Sequence, residues 1–140
     1  MYFSYGKTEV EYLKSRDKIL GEIIDQIGPV ERKVDTDLFS SVVHHIIGQQ
    51  ISTKAQETIW KRMQDGLGCV NAESIAAADV SDLQSFGITF RKAEYIKDFA
   101  KKVESGEFDL DSISHMSDEE AVRRLASLKG IGVWTAEMIL

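Results

Sequence analysis

Two glycines near the C-terminal end of the sequence form a pattern that could bind a phosphate group. Gly130 and Gly132 flank Ile131 between two apolar helical patterns. Glycine allows positive φ and lets another backbone approach closely, so the pair predicts a tight hairpin between two helices. A helix that begins near Val133 would direct amides and the positive end of its dipole toward a bound anion. Because main-chain amides supply the binding, such a site requires few basic side chains.

An ordinary helix–turn–helix connection is the alternative interpretation of these glycines. A Gly-x-Gly sequence by itself would favour that alternative. Leu128, Trp134 and Thr135 surround the glycines in positions that suit a DNA-binding hairpin. We therefore favour phosphate binding.

Composition and charge limit the class of protein. The chain has 140 residues, of which 43% are hydrophobic and 29% charged, enough for one ordinary domain with a core. Its net charge of −6 argues against coating DNA through charge alone, but allows a few defined phosphate contacts. We find no apolar run long enough to cross a bilayer and no signal-peptide pattern. Cys69 is the only cysteine, so we expect no internal disulfide and a cytoplasmic location.

The N-terminal part of the sequence predicts one long amphipathic helix. Thr8 and Glu11 have the spacing of a capping box. Behind them, apolar positions from Val10 to Ile27 share one helical face until Gly28 ends the pattern.

The remaining sequence predicts further helices and no strand, so the fold class is all-α. We expect a single helical domain over residues 1–140, with an N-terminal segment 1–37 and a core 38–140. A wide apolar stripe after residue 37 indicates a central, buried helix. Ser52 or Thr53 can cap the helix that follows, and Gln56 would complete a capping box with Thr53. Later helices are predicted over residues 72–78, 79–85, 90–104 and from 117 onward.

The run from Leu128 to Ala136 resembles the hairpin of the helix–hairpin–helix DNA glycosylases. The similarity is greatest to their alkylation-repair branch, DNA-3-methyladenine glycosylase II. Residues 46–52, residues 86–96 and the pair Gly106 and Leu110 agree with the family in order and approximate spacing. The resemblance spans roughly residues 38–140 and implies the family's helical bundle, incomplete at its C-terminal end.

The resemblance implies a base-excision repair enzyme that releases alkylated purines such as 3-methyladenine from double-stranded DNA. The damaged base must leave the stack, and a side chain must fill the vacated space. By position, Gln49 or Gln50 would be this wedge; a polar turn that caps the next helix is the alternative. Ser52 already supplies such a cap, which favours the wedge. The DNA-binding residues implied are Gln49, Gln50, Ser52, Lys129, Gly130, Ile131, Gly132 and Thr135.

Trp134 occupies the position at which the lyase branch of the family carries its reactive lysine. The resemblance therefore implies a monofunctional glycosylase that does not cleave the strand. Trp134 and Met138 would line the base pocket, where an indole stacks well on an electron-poor alkylated base. A simple core position is the alternative for Trp134.

The family's catalytic aspartate follows the second helix of the hairpin, so we expect it beyond Leu140. No catalytic residue is therefore expected within the chain, which we predict to be inactive by itself, whereas the parent protein would be active. A non-catalytic DNA-binding module is the alternative function.

The sequence stops without a helix-ending signal after Met138, Ile139 and Leu140. We therefore expect apolar surface on Ile139, on Leu140 and on parts of the helix over Val10–Ile27. The consequence expected is self-association of the chain, a proteolytic origin, or further residues in the protein sample. No obligate protein partner and no membrane partner are predicted.

The family's hairpin also holds a monovalent cation through main-chain carbonyls. The matching carbonyls are those of Ala126, Leu128 and Ile131. The resemblance implies a structural Na+ or K+ there, and no cofactor that the reaction requires.

Overall fold

A computed structural model describes residues 2–140, and the chain divides into two compact units, Met1–Thr36 and Asp37–Leu140. In residues 2–140 the regular structure is helical apart from one isolated antiparallel bridge, so the all-α prediction is confirmed. The organisation as a single domain stays a prediction. No helix in the described range has the length and apolar character that crossing a bilayer requires. The helices are α1 (Lys7–Arg16), α2 (Lys18–Ile27), α3 (Leu38–Gly48), α4 (Thr53–Leu67), α5 (Ala72–Ala77), α6 (Val80–Ser85), α7 (Phe90–Glu104), α8 (Leu110–Ile113), α9 (Asp118–Ala126) and α10 (Val133–Ile139).

The N-terminal unit contains two helices where the sequence predicts one. Asp17 is extended, with φ −138° and ψ 111°, and its carboxylate accepts the amide of Leu20 at 3.0 Å. Asp17 therefore ends α1 and caps α2. The predicted box of Thr8 with Glu11 is also wrong, because α1 begins one residue after Gly6, whose amide donates to Glu9 at 2.6 Å. The hydrogen bond from the Gly6 amide, together with one from the Glu9 amide, lowers the pKa of the Glu9 carboxyl.

The N-terminal unit exposes much apolar surface, as the sequence predicts. Ile19, Ile23 and Ile27 of α2 are all exposed, and Gly21 is the buried residue of that helix. Apolar side chains such as Leu13 and Ile24 also line an open groove of about 980 Å³ within this unit.

The second unit is built around α3, whose wide apolar stripe is buried as predicted. Val42, Val43, Ile46 and Ile47 are fully inaccessible to solvent. The helix packs against α4, α7 and α10. In turn, α7 packs against α5 and α6, and α9 packs against α10. This arrangement brings the C-terminal end of α3 toward the connection between α9 and α10.

The start of α4 shows which of two predicted caps forms. The hydroxyl of Ser52 accepts the amide of Ala55 at 3.3 Å, so Ser52 is the N-cap. Gln56 does not complete a box with Thr53. Its side-chain amide instead donates to the carbonyl of His44 in α3 at 2.7 Å, which ties the two helices together.

Candidate nucleic-acid interface

The connection between α9 and α10 is a tight hairpin. The amide of Ile131 donates to the carbonyl of Leu128 at 3.2 Å, which closes the turn, and α10 begins at Val133. Leu128 and Ile131 are both buried, so Ile131 plugs into the fold as its place between the glycines predicts. The Ile131 side chain is therefore not accessible to a bound ligand.

The two glycines of the hairpin have different surroundings. Gly130 has φ +85°, and a Cβ there would lie 2.4 Å from Cδ2 of Tyr95 in α7. Gly132 has φ −90° and ψ 172°, and a Cβ there would meet no heavy atom within 4 Å. The fold thus requires glycine at position 130. The open side at Gly132 leaves room for a second molecule against the backbone.

The loop after α3, residues 49–52, meets this hairpin. The side-chain amide of Gln49 donates to the carbonyl of Gly130 at 2.6 Å, across 81 residues of sequence. Gln50 is exposed and has φ +62°, in the left-handed region that residues other than glycine rarely adopt. The structure therefore places Gln49 and Gln50 in different roles, since Gln49 holds the hairpin and Gln50 faces solvent.

Lys92 of α7 contacts the backbone at the end of α3 and in the loop after it. This role was not predicted from the sequence. Its ammonium donates to the carbonyl of Ile47 at 2.8 Å and to that of Gln49 at 2.6 Å. Burial lowers the pKa of Lys92. A signal was present in the sequence, because Lys92 stands on the same stripe as Ile96 and Phe99, which are buried.

The first turns of α10 carry the predicted base-pocket residues. Trp134 is 71% exposed, so the alternative that it is a core residue is wrong for this structure. Met138 is 37% exposed and lies four residues further on, hence on the same face of the helix. Thr135 is half-buried between these positions.

The sequence of this region matches a family model. Residues 43–135 match the profile of the HhH-GPD superfamily of base excision DNA repair proteins, and these residues include the whole loop after α3 and the hairpin. The chain belongs to this superfamily.

Proteins similar to this chain include several named as DNA-3-methyladenine glycosylases. A DNA-3-methyladenine glycosidase from Bacillus halodurans superposes with a TM-score of 0.80 at 32% identity, covering 99% of this chain and 65% of that one. A DNA-3-methyladenine glycosylase of Bacillus subtilis (strain 168) is 28% identical over 116 residues, 74% of this chain and 38% of its own length. A Schizosaccharomyces pombe 3-methyladenine DNA glycosylase in complex with abasic DNA shares the fold, with a TM-score of 0.81 at 23% identity over 96% of this chain and 68% of that one. The chain spans between 38% and 56% of the length of the curated relatives that it matches.

The carbonyl groups expected to hold a monovalent cation lie at this HhH-GPD hairpin. They belong to Ala126, Leu128 and Ile131, and the Leu128 carbonyl already accepts the Ile131 amide. Carbonyl oxygens are hard donors that suit an alkali cation, so the donor set fits in chemical type. Among residues 2–140, no group of three or more His, Cys, Asp or Glu side chains could hold a metal ion.

Lys129 lies beside the hairpin as the one basic side chain predicted to bind DNA. Its ammonium is 3.6 Å from a carboxylate oxygen of Asp98, and its side chain is 63% exposed. An ion pair at this distance with an exposed lysine contributes little to stability, so Lys129 can turn to an external anion at small cost.

The contrast between the two glycines is testable by substitution. Gly130→Ala should lower the free energy of unfolding by about 1–3 kcal/mol, because it combines positive φ with a clash against Tyr95. Gly132→Ser is the matched control; serine suits this extended N-cap position, so we expect a change within about 0.5 kcal/mol. Urea unfolding followed by circular dichroism measures both. Equal losses in the two variants would contradict the assignment of different roles.

Proposed function

We propose that the protein is a DNA glycosylase that releases alkylated purines such as 3-methyladenine by hydrolysis of the N-glycosidic bond. The similarity to DNA-3-methyladenine glycosylases supports the proposed reaction. The structural observation that supports DNA binding is the hydrogen bond of 2.6 Å from Gln49 to Gly130. It joins the loop after α3 to the hairpin in a chain of the HhH-GPD superfamily. A DNA strand held by the hairpin would then bring the duplex to Gln50.

The hairpin is proposed to hold one phosphate through main-chain amides on the open side of Gly132. No side chain fills this space, since a Cβ at Gly132 would meet no heavy atom within 4 Å. Lys129 and Thr135 flank it, and Ser52 lies in the loop after α3. Main-chain binding of this kind is compatible with a net charge of −6, because it does not need a basic surface.

Gln50 is proposed to be the wedge that fills the space left by the extruded base. Gln49 is committed to the Gly130 carbonyl, whereas Gln50 is exposed at the tip of the loop. A glutamine amide can both stack and hydrogen-bond to the orphaned partner base. Extruding a base costs a few kcal/mol, which a side chain in the vacated space partly offsets.

The alkylated base is proposed to stack against Trp134, with Met138 beside it. An exposed indole is available for such a contact, and a cationic alkylpurine is attracted to its face. The position that carries lysine in lyase-type relatives holds Trp134, so the enzyme would be monofunctional. The reaction builds positive charge on the sugar and needs a carboxylate or activated water nearby. We assign no catalytic carboxylate within the described residues.

We further propose a Na+ or K+ on the Ala126, Leu128 and Ile131 carbonyls, which would link the hairpin to the phosphate. The reaction itself would require no cofactor. A cytoplasmic location fits the lone, exposed Cys69, which a reducing compartment would keep as a thiol. The exposed apolar surface of α2 and of Leu140 would favour self-association of the isolated chain.

The wedge assignment predicts a loss of lesion binding without a loss of stability. Gln50→Gly keeps the left-handed backbone and removes the side chain, so the free energy of unfolding should stay within about 1 kcal/mol of the natural sequence. Affinity for a duplex with an abasic-site analogue should fall about tenfold, or about 1.4 kcal/mol. Gln50→Asn tolerates the same backbone and keeps an amide, so its loss should be smaller. Fluorescence anisotropy with labelled duplexes measures the affinity of each variant. Unchanged affinity in Gln50→Gly would refute the assignment of Gln50 as the wedge.

The enzymatic proposal is tested with alkylated DNA. The product of the complete gene should release free 3-methyladenine, detected by chromatography, while borohydride should trap no protein–DNA adduct. A folded gene product that binds damaged duplex but releases nothing would replace this proposal with a non-catalytic DNA-binding module, and a trapped adduct would replace it with a lyase.

A further inference from the structure

One helix, α7, touches both parts of the proposed interface. Lys92 donates to the carbonyls of Ile47 and Gln49 at the end of α3. Three residues further along, the ring of Tyr95 lies so close to Gly130 that no Cβ would fit there. Because residues three apart share a helical face, a single face of α7 supports the loop after α3 and the hairpin together.

The ammonium of Lys92 lies at the C-terminal end of α3, where a positive charge stabilises the helix. The last carbonyls of a helix have no partner within the helix, and the negative end of the helix dipole lies there. Two charge-assisted hydrogen bonds from one ammonium, at 2.8 and 2.6 Å, satisfy the carbonyls of Ile47 and Gln49. The residue that follows directly is Gln50, with φ +62°. A backbone conformation of this kind costs about 1–2 kcal/mol and persists only when its surroundings hold it.

We propose that Lys92 is a positioning residue that holds Gln50 ready to enter the duplex, and that it does not itself contact DNA phosphate. Its ammonium fixes the carbonyl before Gln50, the Gln49 side chain fixes the loop to the hairpin, and Tyr95 fixes the hairpin to α7. The inference rests on the proposed function, because it supposes that Gln50 is inserted.

This role differs measurably from that of an ordinary DNA-binding lysine. A lysine that neutralises a phosphate strengthens binding to all duplexes and contributes about −0.9 to the slope of log affinity against log salt. A lysine that positions the wedge affects only the duplex in which the wedge is inserted. The preference for an abasic-analogue duplex over an undamaged duplex therefore separates the two roles.

The test compares Lys92→Met with Lys101→Met in the full chain. Methionine keeps most of the aliphatic stem and removes the ammonium, while Lys101 is an exposed residue of the same helix. Anisotropy is measured with abasic-analogue and undamaged duplexes over a range of salt. A 2-aminopurine opposite the analogue reports insertion through its fluorescence.

We expect Lys92→Met to lose about tenfold in preference for the analogue duplex, with unchanged affinity and salt slope on undamaged duplex. The 2-aminopurine response should fall, and Lys101→Met should keep the full preference. Adding Lys92→Met to Gln50→Gly should cause little further loss, since both changes remove the same insertion. Lys92→Arg keeps a cation and should recover part of the preference. If Lys92→Met does not fold, Lys92→Gln, which can still donate to one carbonyl, takes its place in the same comparisons.

Three results would overturn the inference. Equal weakening on both duplexes with a slope smaller by about one would make Lys92 a phosphate contact. Preference and 2-aminopurine response unchanged in Lys92→Met would show that Gln50 needs no such support. If the natural sequence itself shows no preference for the analogue duplex, the proposed function fails first and this inference falls with it.

Discussion

The hydrogen bond from the Gln49 side chain to the Gly130 carbonyl, at 2.6 Å, holds together two segments that are 81 residues apart in the sequence. Helix α7 also contacts both segments, but this is the side-chain hydrogen bond that joins the loop after α3 directly to the hairpin. With it, they form one continuous surface whose internal distances are set by the fold. Recognition of a distorted duplex needs such fixed spacing, because a phosphate and a base gap lie at a defined distance from each other.

The packing of the helices explains how this contact can be rigid. The helix α3 is buried along its apolar stripe, so the position of its C-terminal end is determined by the core. Gly130 lies against Tyr95 and has a backbone conformation that suits glycine, which fixes the hairpin with equal precision. Gly132 is free of such contacts, and the open side of the hairpin lies there. In the proposed complex the groups that meet phosphate belong to the main chain, so the acidic net charge is compatible with DNA binding.

Local patterns in the sequence predict much of this structure. The stripe from Phe90 to Glu104 gives the bounds of α7, and the helix predicted from residue 117 onward begins at Asp118 with Ser117 as its N-cap. The break at Asp17 was missed because the apolar repeat continues through it, and only the carboxylate's bond to the Leu20 amide reveals it. The cap at Ser52 rather than Thr53 follows from Gln56 bonding to another helix, which a local motif cannot show.

In the candidate site, too, local sequence patterns predict some features, and contacts between distant segments determine the others. The hairpin and the paired glutamines were predictable, because they carry distinct local patterns, whereas Lys92 was missed. The different roles of Gln49 and Gln50 were not predictable, since they depend on contacts between residues far apart in the sequence. Gln49 turns inward to Gly130, Gln50 faces outward, and Lys92 lies beneath both. From the sequence alone, a lysine on a helix is equally compatible with a solvent-exposed position. Only the structure shows that the Lys92 ammonium donates to the carbonyls of Ile47 and Gln49.

The most direct test is to follow the backbone amide chemical shift of each residue by NMR while an abasic-analogue duplex is added. If the hairpin and the loop after α3 form one DNA surface, the largest changes will fall together on residues 49–52 and 129–135 at the same duplex concentration. Changes confined to one of these segments, or centred on the N-terminal unit, would contradict the central claim.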